Sequence, residues 1–181
     1  MGAVSRFRAA LVDDFRWNAL IRPRLEGLSD EEYLWEPAPG TLTVRRGPRG
    51  AWSLDAPADD FPLGNIAWRM THLSSSLAAH PVAGVAFGPG WARPDLGEPT
   101  GSAEEGLKRL DAANAHWRAS LAALSDDDFD RTLGPAAGPY ADSTVLEIVL
   151  HVHNESMQRG ADLCLLRDLY LKLGRPGTDQ P

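Results

Sequence analysis

Residues 144–173 read TVLEIVLHVHNESMQRGADLCLLRDLYLKL, a long uninterrupted helical pattern with a line of polar residues threaded through an otherwise apolar run. Successive residues of a helix are rotated by about 100°. His151, Glu155, Gln158 and Asp162, at spacings i, i+4, i+7 and i+11, therefore fall in one narrow stripe. Nearly every other direction around the helix is apolar, with Val145, Val149, Val152 and Leu163 on one side and Leu146, Leu150, Met157 and Cys164 on another. Such a helix is built to be buried among several neighbours. Polar groups in that setting are costly unless something satisfies them, so the stripe is where function is sought.

Three more helical segments lie upstream. The first is predicted from Ser5 to Glu26, with an amphipathic face through Phe7, Ala10, Leu11, Phe15, Asn18, Leu20, Ile21 and Leu25. Ser29 and Glu32 stand at capping-box spacing and open a short helical turn. The second long helix is predicted from Leu63 to Ala79 and ends at His80-Pro81, because proline disfavours helix at the preceding residue. The third opens at Ser102, with Glu105 completing a capping box, and stops near Leu124; it carries Leu107, Leu110, Ala113, Trp117 and Leu121 inward. Ser125 to Asp128 reads as another capped turn, and Asp142-Ser143-Thr144 followed by Glu147 starts the fourth helix. Thr41–Arg45 and Gly50–Ser53 are the strand candidates, joined over the Gly-Pro-Arg-Gly turn. Two long Pro- and Gly-rich loops remain, 36–62 and 82–101, of a length that usually serves as lid or binding loop. The expected architecture is one all-α domain over residues 1–181, a four-helix bundle with two long crossovers and a small β-hairpin in the first.

A chain of 181 residues with a net charge of −7 has room for one core and argues against a nucleic-acid partner, since phosphate binding concentrates Lys and Arg. The one Arg-rich run, Val44 to Arg49, reads as an exposed loop. The single cysteine, Cys164, excludes an intrachain disulfide and sits on an apolar side of its helix, where an inert core thiol is expected. No apolar leader core and no membrane-length apolar run is present, so a cytoplasmic protein without a membrane partner is expected.

Three stretches taken together, LEGLSDEEYLWEPAPG, GNIAWRMTHLSSSL and GPYADSTVLEIVLHVHNE with RGADLCLLRDLY, resemble the DinB superfamily, the DinB/YfiT-like four-helix proteins that include mycothiol- and bacillithiol-dependent S-transferases. The resemblance covers nearly the whole chain in order. It implies a bundle, commonly dimeric, with a divalent metal between the second and fourth helices. One ligand would come from the position of His72. The other two, normally a His-x-x-x-His pair before an Arg-Gly or His-Gly, fall on Asn154 and Gln158 when aligned on Arg159-Gly160, so two of the three histidines are missing. Carboxamide oxygens are weak replacements for imidazole. Some relatives use a Glu, and His72, His151 and Glu155 together would make a two-His, one-carboxylate set if the fourth helix were shifted from the family register.

The preferred reading is a metal-free polar pocket, in which His72 hydrogen-bonds across the bundle to Asn154, Glu155 or Gln158 and the protein binds a small molecule or is non-catalytic. The cofactor is then none. The alternative is a divalent-metal (Zn or Ni), low-molecular-weight-thiol-dependent S-transferase, isomerase or hydrolase using His72 and Glu155. A third account leaves the stripe solvent-facing. His153 reads as a packed or subunit-contact residue, His80 as a helix-end residue meeting terminal carbonyls, and His116 as structural. The tryptophans, Trp35, Trp52, Trp68, Trp91 and Trp117 among them, read as core or loop anchors more than ligand contacts, although some could roof a pocket. A homodimer is expected because the fourth helix has more apolar circumference than one bundle core requires.

Overall fold

The computed structural model describes residues 5, 6, 9–11, 17–57 and 63–174. Its helices are α1 (Asp30–Leu34), α2 (Ile66–Ala79), α3 (Ala83–Phe87), α4 (Ala103–Ala123), α5 (Asp126–Phe129) and α6 (Val145–Leu169), and its hairpin pairs β1 (Val44–Arg46) with β2 (Trp52–Leu54). The all-α expectation holds: an N-terminal helical segment, α2, α4 and α6 form the four-helix bundle, with α2 packed on both α4 and α6. Trp17, Tyr33, Met70, Leu110, Val149 and Leu163 lie in its core. Cys164 is buried as expected, and that burial pushes its thiol pKa up.

The helix ends show which local signals were sufficient. Thr144 and Glu147 form a reciprocal capping box at α6, and Ser125 with Asp128 does the same at α5. The box predicted at Ser102 and Glu105 does not form: Ser102 makes no side-chain cap bond. Asp30 of α1 reaches across instead, its Oδ1 accepting from Ala103 N at 2.7 Å. A carboxylate from a distant segment thus caps α4 and meets the positive end of its dipole. At α1 the Ser29 hydroxyl accepts from Glu32 N, but the Glu32 side chain turns away to Arg167.

Other departures have equally local causes. Instead of one helix from Ser5 to Glu26, residues 5, 6 and 9–11 are helical, Trp17–Ile21 is a π turn and Arg22–Leu25 a 3-10 turn. Pro23 accounts for the change, having no N–H to bond back to the preceding turn and a ring that crowds it. Phe7 and Phe15 of the predicted face lie outside the described residues. The second helix begins at Ile66, capped by Asn65, rather than at Leu63. Both strands lie further along the chain than expected, β1 closer to the turn and β2 farther from it, with Val44 opposite Leu54, Arg45 opposite Ser53 and Arg46 opposite Trp52. Residues 41–43 have another partner to serve: Leu42 N donates to Leu63 O at 2.8 Å and Asn65 N to Leu42 O at 2.9 Å. The second crossover, read as loop, contains α3, held where the Arg131 guanidinium donates to the carbonyls of Val85 and Ala86.

The LSDEEYLW and LLRDLY stretches meet in space. Arg167 Nε pairs with the nearly buried Glu32 carboxylate at 3.0 Å and Nη1 donates to Glu26 O at 2.6 Å. Arg24 pairs with Asp168 at 2.6 Å, and the Trp35 ring meets Tyr170 edge-on at 5.7 Å. These residues form the seam that fastens α1 and the N-terminal segment to the end of α6. Among the described residues no helix is long and apolar enough to cross a membrane.

Candidate functional site

The site is built on α2. Asn65 Oδ1 accepts from Trp68 N at 3.0 Å, starting the helix, while its Nδ2 donates to Thr43 Oγ1 at 2.6 Å. The indole of Trp68 is buried, and its Nε1 donates to Asp55 O at 2.8 Å, so the first crossover grips it from outside. Gly64 makes room for it: a Cβ there would stand 2.4 Å from Trp68 Cε3. One turn further on, His72 stacks on this fixed indole, ring centroids 5.0 Å apart and planes within 6° of parallel. The imidazole thereby has its plane set before any ligand arrives.

From α6, Glu155 and Arg159 act on His72, as does Arg69 from α2 itself. Arg69 Nε donates to Gly64 O at 3.0 Å and its Nη1 pairs with Asp162 across the bundle at 2.6 Å. Arg159 Nη2 stands 3.5 Å from Glu155, and its buried Nε has no hydrogen-bond partner among the described residues. The pKa of His72 is pushed down, first by burial and then by the Arg159 cation, with Glu155 opposing. The result is an imidazole whose neutral form is favoured, set beside two Arg–carboxylate pairs and able to accept a hydrogen bond.

The predicted stripe does not gather into one internal pocket. Glu155 and Asp162 are partly exposed, whereas His151, Asn154 and Gln158 are exposed. His72 makes no hydrogen bond to Asn154, Glu155 or Gln158 among the described residues. His151 lies instead beside His80 at the end of α2, rings 6.2 Å apart, and His80 in turn faces Tyr140 at 6.2 Å. The expected role of His80 at helix-terminal carbonyls is thus replaced by ring contacts, and its pKa is pushed down by burial and by His151. His153, on the other side of α6, lines a small internal void with Trp17, Asn114 and Trp117. The tryptophans divide as anchors: Trp52 packs on Gly101, Trp117 is buried in the core, and Trp91 lies on the second crossover against His116.

The metal implied by the resemblance does not fit these residues. Among the described residues no three His, Cys, Asp or Glu side chains come together as a cation would require. Arg69 and Arg159 both act on His72, the position at which the resemblance implies a metal ligand, and their charge opposes a divalent cation there, with Glu155 acting the other way. Arg159 is legible in the sequence as the residue that marks the alignment, but its charge beside His72 is not, because that depends on how α6 is rotated against α2. The sequence pattern of the DinB superfamily matches residues 14–163. No curated protein and no solved structure matches the chain.

Proposed function

Because the chain belongs to the DinB superfamily, we propose that it is a metal-independent member that binds a small molecule, with the usual three-histidine metal site converted to a charged cluster. One observation carries this reading: at His72, where the resemblance implies a metal ligand, the Arg159 guanidinium acts together with a single carboxylate, Glu155, and among the described residues no set of three donors gathers. The cluster supplies its own cation, and Glu155 supplies its counter-charge. We derive no metal-dependent step and no thiol transfer from it.

The test is elemental analysis of untagged protein, before and after incubation with Zn and Ni, together with melting in the presence of a chelator. Substoichiometric metal in both preparations and an unchanged melting temperature are expected, because a ligand absent from the folded state contributes nothing to its stability. Stoichiometric metal, with a fall in melting temperature on chelation, would restore the metal-dependent S-transferase reading.

The chain acts as one domain and pairs as a homodimer, which would cover apolar side chains left exposed at Leu20, Leu165, Leu171 and Leu173. A reducing, cytoplasmic compartment suits the free buried Cys164.

A further inference from the structure

We propose that the cleft between the second crossover and the outer face of α4 binds a flat, uncharged aromatic molecule; this rests on the small-molecule reading above and gives it a place. The cleft has a volume of about 520 Å³, within the range of roughly 300–1,000 Å³ typical of small-molecule sites. It lies apart from the His72 cluster and is lined by different residues.

Its walls are aromatic rings held in fixed positions. Trp91 lies 6.3 Å from Phe87, with planes 28° apart, and 5.7 Å from the His116 ring. Phe87 is braced from behind by Trp117, edge-on at 5.0 Å, and Trp117 is buried in the core. The one polar atom of the Trp91 indole is already used, Nε1 donating to Ser120 Oγ at 3.2 Å, while Ser120 donates to His116 O at 3.0 Å. The indole is therefore tethered by its edge. Ala119 and Ala123, one helical turn apart and both exposed, add a floor with no side chain beyond Cβ. A planar ring can lie on such a floor and meet Trp91 and Phe87 in the offset or edge contacts that aromatic pairs favour.

Charge selects the ligand further. No Asp, Glu, Lys or Arg lines this cleft, whereas neighbouring clefts carry Arg93, Asp95, Glu98 and Arg109, or Asp128 and Arg131. An ionised ligand would lose hydration here without a counter-charge. A neutral one would not.

The experiment is a fluorescence titration of the full chain with N-phenyl-1-naphthylamine, and in parallel with 1-anilinonaphthalene-8-sulfonate, which has the same ring system plus a negative charge. Saturable binding of the neutral probe is expected, with the sulfonate weaker by roughly tenfold or more. Ala119→Glu places a charge on the exposed floor without touching the core, and should weaken the neutral probe by a similar factor, about tenfold, with melting unchanged. Trp91→Ala should abolish binding and Trp91→Phe should retain it; should Trp91→Ala fail to fold, Ala119→Glu still decides. Absence of saturable binding, equal affinity for the two probes, or an unchanged titration in Ala119→Glu overturns the proposal. So does a probe signal that disappears as a dimer forms, since the cleft would then be covered by a second copy. Neutral-probe binding that survives chelation is expected. Binding lost on chelation and regained with Zn or Ni would overturn the metal-independent reading, while the Ala119→Glu titration separately decides the cleft.

Discussion

His72 is decided by its neighbours more than by its own chemistry. Burial and the Arg159 cation hold its pKa down, and burial with His151 does the same at His80. Well above about pH 6.5, folded and unfolded chains both hold these rings neutral and no stability depends on them. Below that, the unfolded chain takes up protons that the folded one resists, so stability falls as pH drops from about 6.5 through the depressed folded values and then levels off. The melting temperature should decline between about pH 7.5 and pH 5, with a shallower decline in the His72→Gln/His80→Gln double variant. Glu147 and Asp128, held low by their capping bonds, act only in the lower carboxylate range. By NMR the His72 midpoint should lie below that of a free histidine and rise in Arg159→Met; an unmoved midpoint would remove Arg159 from the cluster. At Gly64 the constraint is steric. The Trp68 ring cannot yield, being buried and tied to Asp55, so Gly64→Ala should cost about 1–3 kcal/mol in a denaturant titration, as overpacking does. A wild-type midpoint there would mean that Trp68 has room to move.

At the level of elements, the seam between α1 and α6 carries the largest single-site prediction. Glu32 is 4% exposed and its partner Arg167 17%. Removing one member of a buried pair strands the other charge, at a cost of about 3–5 kcal/mol, whereas replacing both with apolar residues can be close to neutral. Arg167→Ala should therefore be strongly destabilising by chemical denaturation, and Glu32→Leu/Arg167→Leu should recover most of the loss. Equal losses in the single and double variants would show that the carbonyl contacts of Arg167, rather than the ion pair, hold the seam. The residues that make the family resemblance legible are in large part these fastening residues. They report the fold and say little about chemistry.

For the whole molecule, the bundle holds a polar cluster on α2 and α6 and, separately, an aromatic cleft on the flank of α4. Sedimentation should show a dimer whose dissociation is promoted by Leu165→Glu, a substitution at a side chain 57% exposed in the single chain. A monomer at all concentrations would leave those leucines simply solvent-facing, as scattered surface apolar residues often are.

Periodicity, proline and the capping residues of α6 determined the α2, α4 and α6 helices, the Gly-Pro-Arg-Gly hairpin turn and the buried thiol, because these are set by bonds and burial patterns a few residues apart, whereas the family was legible in motif stretches spread in order along the chain. The same local rules located His72 and its Trp68 neighbour on one helix. They could not place Asp30 as the cap of α4, turn Glu32 toward Arg167, or set Arg159 against His72, since each depends on where a distant helix lies and how it is rotated. Periodicity gives a helix its faces but not the direction each one faces. Only packing decided that His151, Asn154 and Gln158 look outward, and that His116 joins Phe87 and Trp91 from a distant helix to wall one cleft.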